Sequence, residues 1–298
     1  MSNRSFVDIR YPSGCILATS DFGAILVAMK ILDGKIIRDE ILARLKTEFA
    51  KFPTPSRLAV IQIGECDDST AYIRQKKIFA DKIGATIEHI KFPENCSSEE
   101  IIEKIGVLNA DNGVHGIIVQ LSLPKDFNTD EIIEAINPNK DIDGLTAKNL
   151  RRFLVGDLDG LIPATARGIL RLLDYYQIPI AGQRATIIGR SLLVGKPAAL
   201  ALLARGATVT ICHRQTKNLA AIAKEADILI TAAGQNNLVG KEFVSSGQTV
   251  IDVGNDVDSV AVKDMVGALT PTPGGVGPMT VACLFENLLK ARIIKSLK

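Results

Sequence analysis

The sequence predicts an α/β protein built from two αβ units, with a cleft between them. Three observations carry this. From residue 30 onward, β-branched runs alternate with amphipathic stretches, the pattern of parallel sheets covered on both faces. A strand, glycine loop and helix follow one another in ATIIGRSLLVGKP at 185–197. A stretch at 138–163 that contains Pro and Gly separates the two sets of elements, and 298 residues suffice for two domains.

The elements follow in order. Residues 34–49 have helical apolar spacing, 58–63 read as a strand, and 69–83 as a helix with Ser69 as candidate N-cap. A strand at 85–92 leads to a helix at 97–108, where Ser97 and Glu100 have capping-box spacing. A buried strand covers 116–121, a short helix 129–136, and a linking helix 166–176. The second set runs from 184 to about 253, with strands at 207–212, 227–231 and 249–253. A last helix spans about 279–289, with Pro278 as its first residue, where a missing N–H costs nothing.

Composition narrows the classes. With 47% hydrophobic and 23% charged residues, the chain is ordinary for a globular protein. A net charge of +2 gives no bulk electrostatic case for nucleic acid or an anionic membrane. No apolar run approaches the roughly 18 residues of a spanning helix. The five cysteines (Cys15, Cys66, Cys96, Cys212, Cys283) are scattered without a CxxC, and with three dispersed histidines they form no metal-ligand pattern. A reduced, cytoplasmic setting is the simplest reading. His89, His115 and His213 sit at strand edges or ends, where structural or solvated roles are expected. Residues 1–29 lack helical or strand periodicity and read as an uninformative extension, with Met29 a candidate true start.

Two constellations carry chemistry. In the first, Gly189, Arg190, Ser191 and Gly195 form a loop before a helix, whose unpaired N–H groups and positive dipole end suit a phosphate. The spacing is G-x-S-x-x-x-G rather than G-x-G-x-x-G, so a plain αβ turn that only needs glycines stays open. After the next strand, a Rossmann unit specific for NAD places an acidic residue on the ribose; here His213 and Arg214 stand instead. A cation there suits a 2′-phosphate and favours NADP, with Arg190 as a second guanidinium. The competing reading of Arg214 is a solvated loop cation.

In the second constellation, Tyr72 and Lys76 lie four apart on one helix and share a face; an exposed amphipathic pair is the alternative. Gln120 stands at the carboxyl end of a buried parallel strand, where such sheets place ligand contacts. Asp141 and Asp143 lie in a following loop, where turn chemistry is the alternative.

Together these blocks resemble the bifunctional methylenetetrahydrofolate dehydrogenase/methenyltetrahydrofolate cyclohydrolases of the FolD type. The resemblance rests on Ile63-Gly64 with STAYIRQK at 69–76, GIIVQLSLP at 116–124, PNKDIDG at 138–144, GRSLLVGKP at 189–197 and TPTPGGVGPMT at 270–280. It covers nearly everything from Lys30 onward and implies an N-terminal folate-binding, catalytic domain (30–165 plus 279–298) and a C-terminal Rossmann NAD(P)-binding domain (166–278). The implied reaction is NADP-dependent oxidation of 5,10-methylenetetrahydrofolate, then hydrolysis of the methenyl product to 10-formyltetrahydrofolate. The implied partners are the tetrahydrofolate substrate and a second copy of the chain, joined through the Rossmann domain.

The resemblance also implies roles. Lys76 becomes the key cyclohydrolase residue, its pKa lowered by burial and a cationic substrate. Gln120 orients it, Tyr72 stacks on the aminobenzoyl ring, and Asp143 holds the pterin edge. Val119 and Leu121 flank Gln120 in the substrate site, and Pro273, Gly274, Gly275, Val276 and Gly277 line it. Gly189, Arg190, Ser191, Arg214 and Asn255 fall to the cofactor, and no metal is implied. The chain departs from the family pattern at Ala164 and Ala166, at Ser122, at Thr272 in place of a usual valine, and in a shortened loop after Gly254. Two other readings stay open. One is a dehydrogenase that hydrolyses poorly, against which Lys76 and Gln120 argue. The other is a binding module without turnover, which only the shortened loop favours.

Overall fold

The computed structural model describes residues 17–19, 25–27, 29–65 and 67–296. In chain order the strands are β1 (Leu17–Thr19), β2 (Ile25–Val27), β3 (Lys30–Ile31), β4 (Arg57–Ile63), β5 (Thr86–Phe92), β6 (Val114–Val119), β7 (Arg184–Ile188), β8 (Thr208–Cys212), β9 (Ile228–Thr231), β10 (Thr249–Asp252) and β11 (Ala268–Leu269). The helices are α1 (Gly34–Phe49), α2 (Asp67–Ile83), α3 (Ser98–Ala110), α4 (Thr129–Glu134), α5 (Ala147–Leu154), α6 (Ala164–Tyr175), α7 (Gly195–Ala204), α8 (Leu219–Lys224), α9 (Ser259–Val262) and α10 (Val276–Ser296).

Two parallel sheets form the frame. One has the order β5-β4-β6, the other β3-β11-β10-β9-β7-β8. The near-continuous Val/Ile/Leu content of β4, β6, β9 and β10 follows from burial on both faces. β3 is the short edge of the larger sheet, although it precedes the elements of the smaller one. β1 and β2 pair antiparallel, in a stretch whose sequence carries no strand periodicity.

Several boundaries differ from the sequence expectation. The α2 helix begins at Asp67, so Ser69 lies inside its first turn and is not the N-cap. Strand β6 ends at Val119, which leaves Gln120 just beyond the ladder. The last helix begins at Val276, and Pro278 is its third residue. Its missing N–H is still one of the four that a helix start leaves unpaired, so proline costs little there. An additional helix, α5, lies within 138–163. Helix α3 carries the expected capping box: Ser97 Oγ accepts from Glu100 N at 3.2 Å and Glu100 Oε2 from Ser97 N at 2.8 Å.

Helix α10 ties the units together. Phe285, fully buried, stacks on Phe79 of α2 with ring centroids 5.1 Å apart. Buried Glu286 accepts from Arg44 of α1 and, at 3.0 Å, from Arg171 of α6. Asn287 Nδ2 donates to the Ile142 and Ile162 carbonyls, both at 2.8 Å, and so fixes the loop that carries Asp143. Lys140 closes the other end of that segment. Its ammonium donates to the Leu108, Asn109 and Asp111 carbonyls at 2.7–2.8 Å, which satisfies the C-terminal end of α3.

Candidate active site

Lys76 projects from α2 toward the carboxyl end of β6. Its Nζ donates to Gln120 Oε1 at 2.8 Å, and the residue is buried. Gln120 is held on both sides: its backbone N–H donates to the Ile61 carbonyl at 2.8 Å, and its Nε2 to the Leu121 carbonyl at 3.1 Å. With the side-chain nitrogen committed, the side-chain oxygen faces Lys76 and fixes one ammonium direction. Burial pushes the Lys76 ammonium down from its ordinary range, and the charge of Asp143 acts the other way.

The loop after β6 supplies the carboxylates. Asp141 is buried and organises the turn: it accepts from Gly144 N at 2.9 Å, from Thr146 N and Thr146 Oγ1 at 2.8 Å, and from Asn149 Nδ2 at 2.9 Å. Turn chemistry therefore accounts for Asp141. Gly144 allows the turn: its φ is +70°, and a Cβ there would lie 2.8 Å from the Leu161 carbonyl oxygen. Asp143, on the same loop, keeps partial surface exposure. Burial nevertheless pushes its carboxyl up to about 6, opposed by Lys76 and aided by Asp141.

A cleft of about 520 Å³ opens at Tyr72, on the same helix as Lys76; Lys76, Gln120 and Asp143 are not among the residues that line it. Tyr72, 55% exposed, lines it with Pro273, Gly274, Gly275, Val276 and Gly277. Lys35, Arg38 and Lys82 add cations to its wall, and Asp252 closes it from the end of β10. Tyr72 and the 273–277 segment thus share one cavity. Lys76, Gln120 and Asp143 form a polar cluster one helical turn along α2 from Tyr72. Val119 is buried at the strand end and Leu121 is half-buried, both flanking Gln120.

On the larger sheet, Gly189 has φ +130°, and a Cβ there would lie 2.2 Å from the Ala232 carbonyl oxygen. A Cβ at Gly195 would lie 2.2 Å from the Gly189 carbonyl oxygen, so this cradle admits only glycine at both positions. The start of α7 does not offer the free amides expected from sequence. Ser191 takes them itself: its Oγ accepts from Val194 N at 3.2 Å and Gly195 N at 3.4 Å, and its carbonyl from Lys196 N at 3.0 Å. An anion at this end meets exposed Arg190 and the loop before the helix instead. Arg214 is exposed in the turn after β8, which Thr216 closes onto His213. Asn255 is exposed with φ +61°, and its Nδ2 donates to Asn236 Oδ1 at 3.3 Å.

Two sequence models match this chain. The catalytic domain of tetrahydrofolate dehydrogenase/cyclohydrolase matches residues 32–143, and the NAD(P)-binding domain of the same family matches 163–296. The chain belongs to the tetrahydrofolate dehydrogenase/cyclohydrolase family. The bifunctional protein FolD of Methanoculleus marisnigri is 43% identical over 276 residues, which cover 89% of this chain and 97% of that protein. The FolD protein of Nitrosospira multiformis is 42% identical over 278 residues, with 89% and 96% covered. Among solved structures, the Campylobacter jejuni FolD enzyme has a TM-score of 0.86 at 38% identity, covering 90% of this chain and 99% of that one. The Trypanosoma brucei FolD, solved with NADP cofactor and an inhibitor, has a TM-score of 0.86 at 30% identity, with 91% and 99% covered.

In this family member, sequence reasoning missed the residues that act on backbone at a distance. Asn287, Lys140 and Asp256 each hold a segment far away in the chain through N–H or C=O groups. No spacing rule announces such contacts.

Proposed function

We propose that the protein oxidises 5,10-methylenetetrahydrofolate with NADP+ and hydrolyses the methenyl product to 10-formyltetrahydrofolate. The single observation behind the second activity is the buried Lys76 held on Gln120 at 2.8 Å, with Asp143 beside it. NADP+, when bound, would supply the acceptor for the hydride that leaves the one-carbon bridge. Exposed Arg190 and Ser191, on the loop before α7, fit its phosphates, and Arg214 fits the 2′-phosphate. For the first step the chain mainly aligns the substrate: Tyr72 stacks under the aminobenzoyl ring while Pro273, Gly274, Gly275, Val276 and Gly277 form the opposing wall.

Hydrolysis needs proton traffic. Water adds to the one-carbon centre, one C–N bond breaks, and the freed nitrogen takes a proton. Lys76, with its ammonium destabilised by burial, accepts a proton from the water and returns it to the nitrogen, and the second water proton is released to solvent as the formyl C=O forms. Gln120 fixes its direction, and ionised Asp143 holds the donor edge of the pterin. The working division remains 30–165 plus 279–298 for folate and 166–278 for cofactor, with β3 lent by the first unit to the sheet of the second.

A spectrophotometric assay with 5,10-methylenetetrahydrofolate, run with NADP+ and with NAD+, tests this. The expected result is NADP-dependent turnover that ends in the 10-formyl product. Ligand binding without turnover overturns it. Arg214→Ser is expected to raise the KM for NADP+ about tenfold with little change for NAD+, as the loss of one charge-assisted phosphate contact requires. Equal weakening for both cofactors removes the 2′-phosphate role.

The proposed homodimer forms through the edge of the Rossmann sheet. Strand β8 is that edge, with Ile211 43% exposed, and an apolar edge strand is a template for pairing. Ile211→Lys is expected to shift the sedimentation coefficient from dimer to monomer; an unchanged dimer places the interface elsewhere. The free thiols of Cys96, Cys212 and Cys283 support a reducing, cytoplasmic setting.

A further inference from the structure

Two carboxylates at the end of β10, Asp252 and Asp256, lie four positions apart across one turn. Asp252 is buried and gathers four donors. Its Oδ1 accepts from Thr231 Oγ1 at 3.0 Å and Asp256 N at 2.9 Å; its Oδ2 accepts from Thr272 Oγ1 at 3.2 Å and Val257 N at 3.3 Å. Asp256 is fully buried and grips a different loop. Its Oδ2 accepts from Ala233 N at 2.7 Å and its Oδ1 from Gln235 N at 2.6 Å. Gly254 makes room for this turn, since a Cβ there would lie 2.8 Å from Asp256 Oδ2.

The partners matter more than the turn. Ala233 and Gln235 follow Ala232, which packs directly against Gly189 of the cofactor cradle. Thr272 is the residue before Pro273, at the head of the folate wall. One pair of carboxylates therefore holds the loop that backs the cofactor cradle and the segment that lines the folate cleft. Burying two adjacent carboxylates is costly, and the donors around them offset that cost only in this one arrangement.

We infer that Asp252 and Asp256 are positioning residues that set the register between the cofactor loop at 232–235 and the folate wall beginning at Thr272. The inference rests on the reading of the chain as a cofactor-dependent dehydrogenase joined to a cyclohydrolase. The pair touches neither reacting atom; it fixes the distance across which hydride passes. Its two arms are separable. Asp256 serves the cofactor side, and the Thr272 contact serves the folate side.

The test uses the full chain and three readouts: NADP+ affinity by calorimetry, dehydrogenase KM and kcat, and hydrolysis of supplied methenyltetrahydrofolate without cofactor. Asp256→Asn turns one acceptor into an N–H donor that faces a backbone N–H. The expected result is about tenfold weaker NADP+ binding and a matching rise in KM for NADP+, with hydrolysis of supplied methenyltetrahydrofolate within about twofold of the parent. Thr272→Val, nearly isosteric and without the hydroxyl, is expected to raise the KM for the folate in both reactions about threefold and leave NADP+ affinity unchanged. If Asp256→Asn does not fold, Thr272→Val decides. Unchanged folate KM in Thr272→Val, unchanged NADP+ affinity in a folded Asp256→Asn, or an equal fall in both activities overturns the inference. If the parent protein binds NADP+ but shows no turnover, the proposed function fails, while the calorimetric comparison still tests Asp256.

Discussion

Lys76→Met is expected to lower the hydrolysis of methenyltetrahydrofolate by about 10³-fold, within the range that a positioned acid–base group supplies. NADP+ affinity is expected to stay at the parent value, because α2 and the glycine cradle belong to different sheets. The thermal midpoint is expected to hold or rise. Methionine keeps most of the volume, and the variant no longer desolvates an ammonium whose burial outweighs the help of Gln120 and Asp143. The remaining Gln120 oxygen is left without its donor, but the residue is only half-buried and hydrates at small cost. Stopped-flow absorbance of the methenyl substrate measures the rate directly. A variant that hydrolyses within tenfold of the parent removes Lys76 from the proton path. A fall in rate accompanied by a large loss of stability assigns Lys76 to packing instead.

How much of this was legible beforehand depends on the range of the interaction. The capping box at Ser97 and Glu100 was legible because both halves lie within one turn. The span of α1 was legible because Ile37, Ile41, Leu45 and Phe49 repeat at helical spacing on one buried face. The Lys76–Gln120 pair is 44 residues apart, and no local rule joins them. Only the order of several motifs, and the family that they resemble, brought them together. Where a local rule was pressed too far, it failed. Ser69 has the chemistry of an N-cap but stands two residues inside α2. Pro278 suits a first position but is tolerated equally at the third, so it could not fix the start of α10. The phosphate loop shows a subtler limit: the spacing places a helix N-terminus correctly, yet Ser191 spends its own hydroxyl and carbonyl on the amides expected to be free. Helix α5 is hard to see in the sequence because the Pro and Gly residues of 138–163 flank its eight residues closely.

Asp143→Asn is expected to lower kcat/KM by about 10²-fold and to move the acid limb of the pH profile, the cost of a charge-assisted contact made at the substrate. In the parent the carboxyl titrates at about 6, so its ionised form dominates above that value and its hold on the pterin donors is lost as the pH falls through about 6. Lys76 adds a second contribution of the same sign, since it acts as a base only while unprotonated. The variant separates them. Removing the Asp143 charge removes an influence that raises the Lys76 pKa, so the Lys76 limb moves further to the acid side. The stability signature runs the opposite way from that of an ordinary carboxylate. Because the folded pKa of about 6 exceeds the reference 3.8, the folded state binds the proton more tightly, and the parent gains stability relative to the Asp143→Asn variant as the pH falls from about 6 toward 3.8. Above about 6 that contribution is gone, and the difference between parent and variant no longer changes with pH. Parallel denaturant titrations at pH 5 and pH 8, set beside the pH–rate profiles, check both statements. An acid limb that stays near 6 in the variant assigns it to another group, and a stability difference that does not change with pH shows that burial does not raise the Asp143 carboxyl.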